Sequence, residues 1–388
     1  MRRRRVLLMI ETSLAYGREL LRGINRYVMQ HEPWSLFLDQ RELMSEPPPW
    51  LANWDGDGII TRWTTPALAQ LFVSMGLPVV DLTDVYGNLG LPHIWTNHAA
   101  IGDMAARHLL ERGFQHFGFC GFSNHDWSNR RREGFLHVLA AASKQCRVFD
   151  TEWNSFHTQS WDEQQEALGR WLDSLPKPVG IMACNDMRGQ HVLDACRRHE
   201  LAVPEEVAVI GVDNDELLCS LCDPPLTSVI PNPERIGYEA AALIDRLMQG
   251  RPSDISERLV DPIGIATRQS TDVLAIDQPS VAAALRYIRQ HACDGISVTD
   301  VLQHVPLTRS MLERQFRRYV GRSPQEEIRQ VQLKRARQLL AESDLSLSQI
   351  APLAGYRHPE YMSVVFKRLT GETPGQYRRR TNPNAKTE

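Results

Sequence analysis

Two helix–turn–helix patterns, joined by a long amphipathic stretch, occupy the last hundred or so residues of this chain. The first runs from Ser297 through Val305, turns at Pro306-Leu307 and continues from Thr308 to Val320. The second runs from Ser346 through Ala354, turns over Gly355-Tyr356-Arg357-His358 and continues through Lys367. Between them, a helix expected over Gln325–Ala341 sets Ile328, Val331, Ala336, Leu339 and Leu340 along one seam. Two such units on one chain can enter successive major grooves, because half-sites repeat about every 34 Å along DNA. The pattern predicts an all-α domain that reads duplex DNA.

In the first unit Thr308 is a good N-cap and Leu312, Phe316 and Tyr319 face inward. That turns Arg309, Ser310, Glu313, Arg314 and Arg317 outward. Arginine suits guanine N7 and O6, glutamate can accept from cytosine N4, and serine is adaptable. Gly321 stops the helix. The competing reading is a solvated face of mixed charge, and the preceding helix, tight turn and second copy weigh against it. In the second unit Val365, Phe366 and Leu369 are core candidates. His358, Pro359, Glu360, Ser363 and Val364 are left near the DNA, with Lys367 and Arg368 available for phosphates. This face is less basic, so it is expected to read fewer bases.

Charge follows the same division. Residues 280–388 carry 18 Lys and Arg against 10 Asp and Glu, whereas the rest carries 26 against 37. A basic end on an acidic chain is what a phosphate-neutralising module requires. No apolar run approaches the roughly 20 residues that span a bilayer. The start, Met1-Arg2-Arg3-Arg4-Arg5, precedes an apolar run that stops at Glu11, too short for a signal sequence. A cytoplasmic protein is expected. Seven scattered cysteines include one C-x-x-C pair, Cys219 and Cys222, without a second pair to complete a zinc site. They read as small buried residues, and neither metal nor cofactor is expected. No nucleophile–base set or H-E-x-x-H arrangement is present, so an enzyme is not expected.

The first 270 residues alternate short apolar runs with helical patterns, which argues for βαβ units and mostly parallel sheets. Val6–Ile10, Gly58-Ile59-Ile60, Pro78–Leu82 and His116–Cys120 suggest a first sheet of four or five strands. After a helix at Trp127–Ala142, Val179–Ala183 and Val207–Val212 repeat the pattern. Two α/β halves in series suggest two lobes around a ligand cleft. One large doubly wound sheet is the alternative. Thr271–Ser280 lacks periodicity and includes Pro279, which places a linker at 271–280 between domains 1–270 and 281–388. Thr381–Glu388 reads as a tail, and Pro47-Pro48-Pro49-Trp50 as a stiff surface loop.

The run Ala354-Gly355-Tyr356, Tyr361 to Arg368 and Gly371-Glu372-Thr373-Pro374 closely resembles the signature of AraC/XylS-type regulators. Val364 stands where many members carry an arginine. The front resembles the LacI/GalR ligand-binding domain, at Ala183-Cys184-Asn185-Asp186, Val209–Asp215 and Pro224–Val229. That resemblance implies a two-lobed α/β fold like that of periplasmic sugar-binding proteins, with Arg131, Asn185, Asp186 and Asp213 on the ligand. Carboxylates there would accept sugar hydroxyls, the arginine would donate in a fork, and Tyr16 or Trp127 would cover the apolar ring face. Each residue has a plainer reading: Asn185-Asp186 as a helix cap, Asp213 as a strand end, and Arg131 as part of a solvated run Arg130-Arg131-Arg132. The combination resembles the family of bacterial xylose operon regulators, through Leu14–Arg18 and Tyr287–Ile296 as well. It implies a homodimeric activator responding to a sugar such as D-xylose, binding direct-repeat operator half-sites and contacting RNA polymerase. Arg62 stands where that family has an acidic residue, which leaves the effector open between xylose, another pentose and a sugar acid.

Overall fold

The computed structural model describes residues 2–39, 48–153, 160–251, 257–272, 278–343 and 345–381. Half of the expected linker (273–277), the tail beyond Thr381 and Pro47 lie outside those residues. The chain forms two compact units, Met1–Asp272 and Val273–Glu388.

The first unit holds twelve described strands. These are β1 Arg5–Met9, β2 Ser35–Leu38, β3 Gly58–Thr61, β4 Val79–Asp81, β5 His93–Thr96, β6 His116–Phe122, β7 Cys146–Thr151, β8 Val179–Ala183, β9 Val207–Val212, β10 Thr227–Ile230, β11 Glu257–Val260 and β12 Gly264–Ala266. They form two separate sheets, ordered β11-β5-β4-β3-β1-β2 and β12-β10-β9-β8-β6-β7. Every pairing is parallel except β10 with β12. Two lobes, not one doubly wound sheet, is therefore the arrangement. The strand at His116 is not part of the first sheet as expected but the start of the second, and the first sheet has six strands. Its strands β2, β5 and β11 were missed because each is only four residues long, and the edges β2 and β11 are in addition largely exposed. In β8 and β9 every residue is buried, as sheets covered by helices on both faces require.

The helices of this unit are α1 Ala15–Gln30, α2 Pro66–Met75, α3 His98–Glu111, α4 Asp126–Ala141, α5 Trp161–Asp173, α6 Asp186–Arg198, α7 Glu216–Leu221 and α8 Pro233–Met248. Because α3 packs against α4 of the second lobe, and α8 against α1 of the first, the chain crosses between lobes three times. The crossings follow β5, β10 and β11. They are tied together: Asn97 Nδ2 donates to Asp261 Oδ1 at 2.7 Å, and the Ile263 amide donates to Ile230 O at 2.8 Å. Three short segments of this kind can absorb a hinge motion while each lobe stays rigid. Helix α3 lies so close to α4 that a Cβ on Gly102 would sit 2.1 Å from Arg131 O. That contact fixes the height of Arg131 against the hinge.

The second unit contains α9 Pro279–His291, α10 Val298–Gln303, α11 Arg309–Tyr319, α12 Pro324–Glu342, α13 Leu347–Leu353, α14 Pro359–Thr370 and α15 Pro374–Thr381. Ser297, Ser323 and Ser346 each close a capping box, and the Thr308 hydroxyl accepts from Met311 N, so the starts of four helices are written in local sequence. Two cores form. Val281, Leu285, Ile288, Leu312, Phe316 and Ile328 build one, and Leu333, Ala336, Leu340, Ile350, Val365 and Phe366 the other. Helix α12 serves both, giving Ile328 and Val331 to the first and the rest of its seam to the second. At the change-over, Gln332 Nε2 donates to both Ala292 O and Gly355 O at 3.0 Å. Gly355 has φ +80°, and a Cβ there would meet Ala292 O at 2.5 Å, so only glycine lets the halves approach this closely. One expectation is corrected: Leu369 is 38% exposed, and Met362, about two turns earlier, is buried in its place.

Candidate functional site

A cavity of about 260 Å³ opens between the two lobes, at the carboxyl ends of strands from both sheets. The first lobe contributes Tyr16, Arg62 and Asp84, which follow β1, β3 and β4. The second contributes Trp127, Arg131, Asn185, Asp186 and Asp213, which follow β6, β8 and β9. The Asp84 and Val85 carbonyls accept from the first amides of α4, Trp127 N at 3.2 Å and Asp126 N at 3.3 Å, closing the back of the cleft.

The six residues expected to meet a ligand all line this cavity, in unequal conditions. Arg131 is 3% exposed and held on three sides: Nη1 donates to Cys184 O at 2.5 Å, Nη2 to Asp213 Oδ1 at 3.2 Å and Nε to His98 Nδ1 at 3.2 Å. Its guanidinium lies 4.9 Å from the Trp127 ring. Arg130 and Arg132 turn away to Asp126 and Asp150. Asp213 and Asn214 adopt φ of 105° and 50°, a left-handed backbone that side chains avoid unless the surroundings impose it. Burial raises the Asp213 carboxyl above its usual range while the Arg131 charge opposes the shift. The Tyr16 hydroxyl shares a 2.7 Å hydrogen bond with Thr96 Oγ1, and Arg62 covers one face of its ring. Asn185 caps α6 through Arg188 N at 2.9 Å. Asp186 is sealed, accepting from Ser228 Oγ at 2.6 Å and Asp215 N at 2.9 Å. Burial, aided by the Asp213 charge, pushes its carboxyl up to about 7.

Sequence reasoning missed Asp84, Glu11, His125 and Trp153. Arg62 pairs with Glu11, stacks 4.4 Å from the Tyr16 ring centroid and reaches Asp84 Oδ2 at 3.9 Å. His125 packs beside Trp127 and Trp153, giving the second lobe an aromatic wall. Asp84 could have been found by symmetry, since it follows β4 as Asp213 follows β9. Glu11 carried no signal beyond ending an apolar run. The cysteines do not form a reactive centre: Cys219 and Cys222 are both buried, and burial raises their thiols, Cys222 to about 11. Among the described residues no His, Cys, Asp and Glu group is arranged to hold a metal, and no helix is long and apolar enough to cross a membrane.

In the second unit α11 exposes Arg309, Ser310, Arg314 and Arg317, with Glu313 half-buried. Helix α14 exposes Glu360 and Lys367, with His358 at its N-cap and Pro359 half-buried as its first residue. Ser363 bonds back to Pro359 O at 2.9 Å, which occupies its hydroxyl proton.

Three family models cover the chain: an XylR N-terminal domain over 5–94, a periplasmic binding protein-like domain over 106–271 and a helix-turn-helix domain over 301–380. The chain is 31% identical over 382 residues to the xylose operon regulatory protein of Haemophilus influenzae, spanning 96% of this chain and 98% of that one. To its counterpart in Escherichia coli K12 it is 32% identical over 387 residues, spanning 97% of each. The chain belongs to the family of xylose operon regulatory proteins. A solved structure of a xylose-binding transcription activator matches along the full length of both chains, with a TM-score of 0.82 at 31% identity. A LacI-family regulator from Enterococcus faecium, solved with ribose, matches 69% of this chain at 20% identity with a TM-score of 0.56, a likeness of fold alone. As a member of the xylose operon regulator family, the chain is a sugar-responsive, helix–turn–helix DNA-binding transcription regulator and not an enzyme.

Proposed function

We propose that this protein is a cytoplasmic activator whose interlobe cleft takes a neutral pentose of the xylose type. The observation that carries the choice of a neutral sugar is the charge balance of the cleft. Arg62, whose presence leaves a sugar acid open, is already paired with Glu11 and faces Asp84. Arg131 is likewise paired with Asp213. Glu11 and Asp84 face Arg62 and Asp213 faces Arg131, so among the described lining residues neither guanidinium is left over for an anionic ligand. What remains is suited to a polyol: carboxylate acceptors on both lobes, a fixed arginine donor, and aromatic faces of Tyr16, Trp127 and Trp153. Asn185 and Asp186 also line the cleft, although both side chains are engaged by the fold.

A ligand that touches both lobes stabilises their closed arrangement, and it shifts the equilibrium by its differential affinity for that state. In a homodimer this would bring two C-terminal readers into register with direct-repeat half-sites, where an activator also meets RNA polymerase. Calorimetric titration of the full chain against D-xylose, L-arabinose, D-ribose and the acids xylonate and glucuronate tests the reading. A neutral pentose should bind tightest. Tightest binding of an acid, or no binding by any of the five, would sink it.

A further inference from the structure

His98 does not line the cleft, yet it stands at the junction of everything that does. It is the first residue of α3, directly after the crossing at Asn97, and only 2% exposed. Its Nδ1 faces Arg131 Nε at 3.2 Å. An arginine Nε–H can only donate, so Nδ1 must offer its lone pair, and the single proton of the neutral ring is on Nε2. That Nε2–H is buried and makes no hydrogen bond among the described residues. The group in front of it is Asp84 Oδ2 at 3.7 Å, just beyond hydrogen-bond range. Trp95 packs edge-on to the imidazole, with ring centroids 5.8 Å apart, and limits its rotation. Burial and the nearby Arg131, Arg130 and Arg62 hold the ring neutral by lowering its pKa well below the usual value.

We propose that His98 is a positioning residue for effector binding: it ties Arg131 of the second lobe to Asp84 of the first, and closure around the sugar completes its Nε2–H···Asp84 hydrogen bond. The proposal rests on the effector reading of the cleft. A sugar bridging Asp84 and Arg131 needs to draw the carboxylate in by less than about 1 Å for the orphaned donor to be satisfied. A buried unpaired donor is costly and its bond to a carboxylate is a strong one, so the gain exists only in the closed state and biases the lobes toward it.

The full-length protein, labelled with 15N-histidine, tests this through the imidazole nitrogen resonances with and without the tightest-binding pentose of the panel above. The free protein should show an unprotonated Nδ1 and a protonated Nε2 for His98, and saturation should move the Nε2–H resonance downfield. His98→Asn keeps an acceptor for Arg131 but cannot reach Asp84. It should weaken sugar binding about tenfold, the effect of losing about 1.4 kcal/mol, with the sugar-free melting temperature unchanged. A proton on Nδ1, an Nε2–H unmoved in a wild type that binds sugar, or a His98→Asn Kd within twofold of wild type would overturn it. A wild type that takes up no sugar instead overturns the effector reading, and the tautomer, measured without sugar, still decides whether His98 holds Arg131.

Discussion

At the scale of single residues, this protein places charges where water cannot reach them and then commits each to a partner. Arg131 sits in a run of three arginines that looks like a solvated helix face, and only its neighbours behave as one. The three acceptors around it, from Cys184, Asp213 and His98, come from three different elements, so no local pattern could single it out. The resemblance to LacI-type sensors named it; periodicity did not. Asp186 gives a pH dependence with a definite sign. Its carboxyl is raised from 3.8 to about 7, so the native state favours the protonated form more than the unfolded chain does. Its contribution to stability is therefore present below about pH 4 and is lost as pH rises through about 7. Thermal melts from pH 5 to pH 8 should show wild type losing stability against Asp186→Asn, by up to roughly 2.5 kcal/mol, since about two of the three units of the shift fall in that window. Parallel curves for the two proteins would assign the titration elsewhere.

At the scale of elements, the two reader helices are unequal. Helix α11 exposes four arginines and a serine, whereas α14 exposes Glu360, Lys367 and Arg368 and carries a half-buried proline and a serine whose hydroxyl is engaged by its own backbone. Specific readout is expected to concentrate on α11. Arg314→Ala should cost about 1–3 kcal/mol on the operator and relax selectivity at one base pair. Binding measured on a set of single-base operator variants checks this, and an equal loss on every sequence would make Arg314 a phosphate contact. Helix boundaries here were legible because caps are local: Thr308, Ser323 and Ser346 bond within four residues of themselves. Leu369 was misread because it lies at the end of α14, where the buried stripe runs out; periodicity gives a face but not where a neighbour stops covering it.

At the scale of the whole molecule, two compact units divide sensing from reading. The second has two hydrophobic cores of its own, joined by α12 and by the Gln332 amide. A fragment covering 278–388 should therefore fold and bind operator DNA with an affinity indifferent to sugar, while the full chain responds. Sugar-dependent binding by the fragment, or a fragment that does not fold, would refute that independence. The sequence alone determined the helices, the parallel α/β class, the reader at the basic end and the family. These follow from caps, periods of 2 and 3.6 and contiguous motifs, all set within a few residues. Only the tertiary structure decided that the strands divide into two six-stranded sheets, that His116 opens the second, and that Glu11, Asp84 and His98 meet Arg62 and Arg131. Those facts depend on three crossings of the chain between lobes. Such crossings bring together residues tens to hundreds of positions apart, and no local pattern records them.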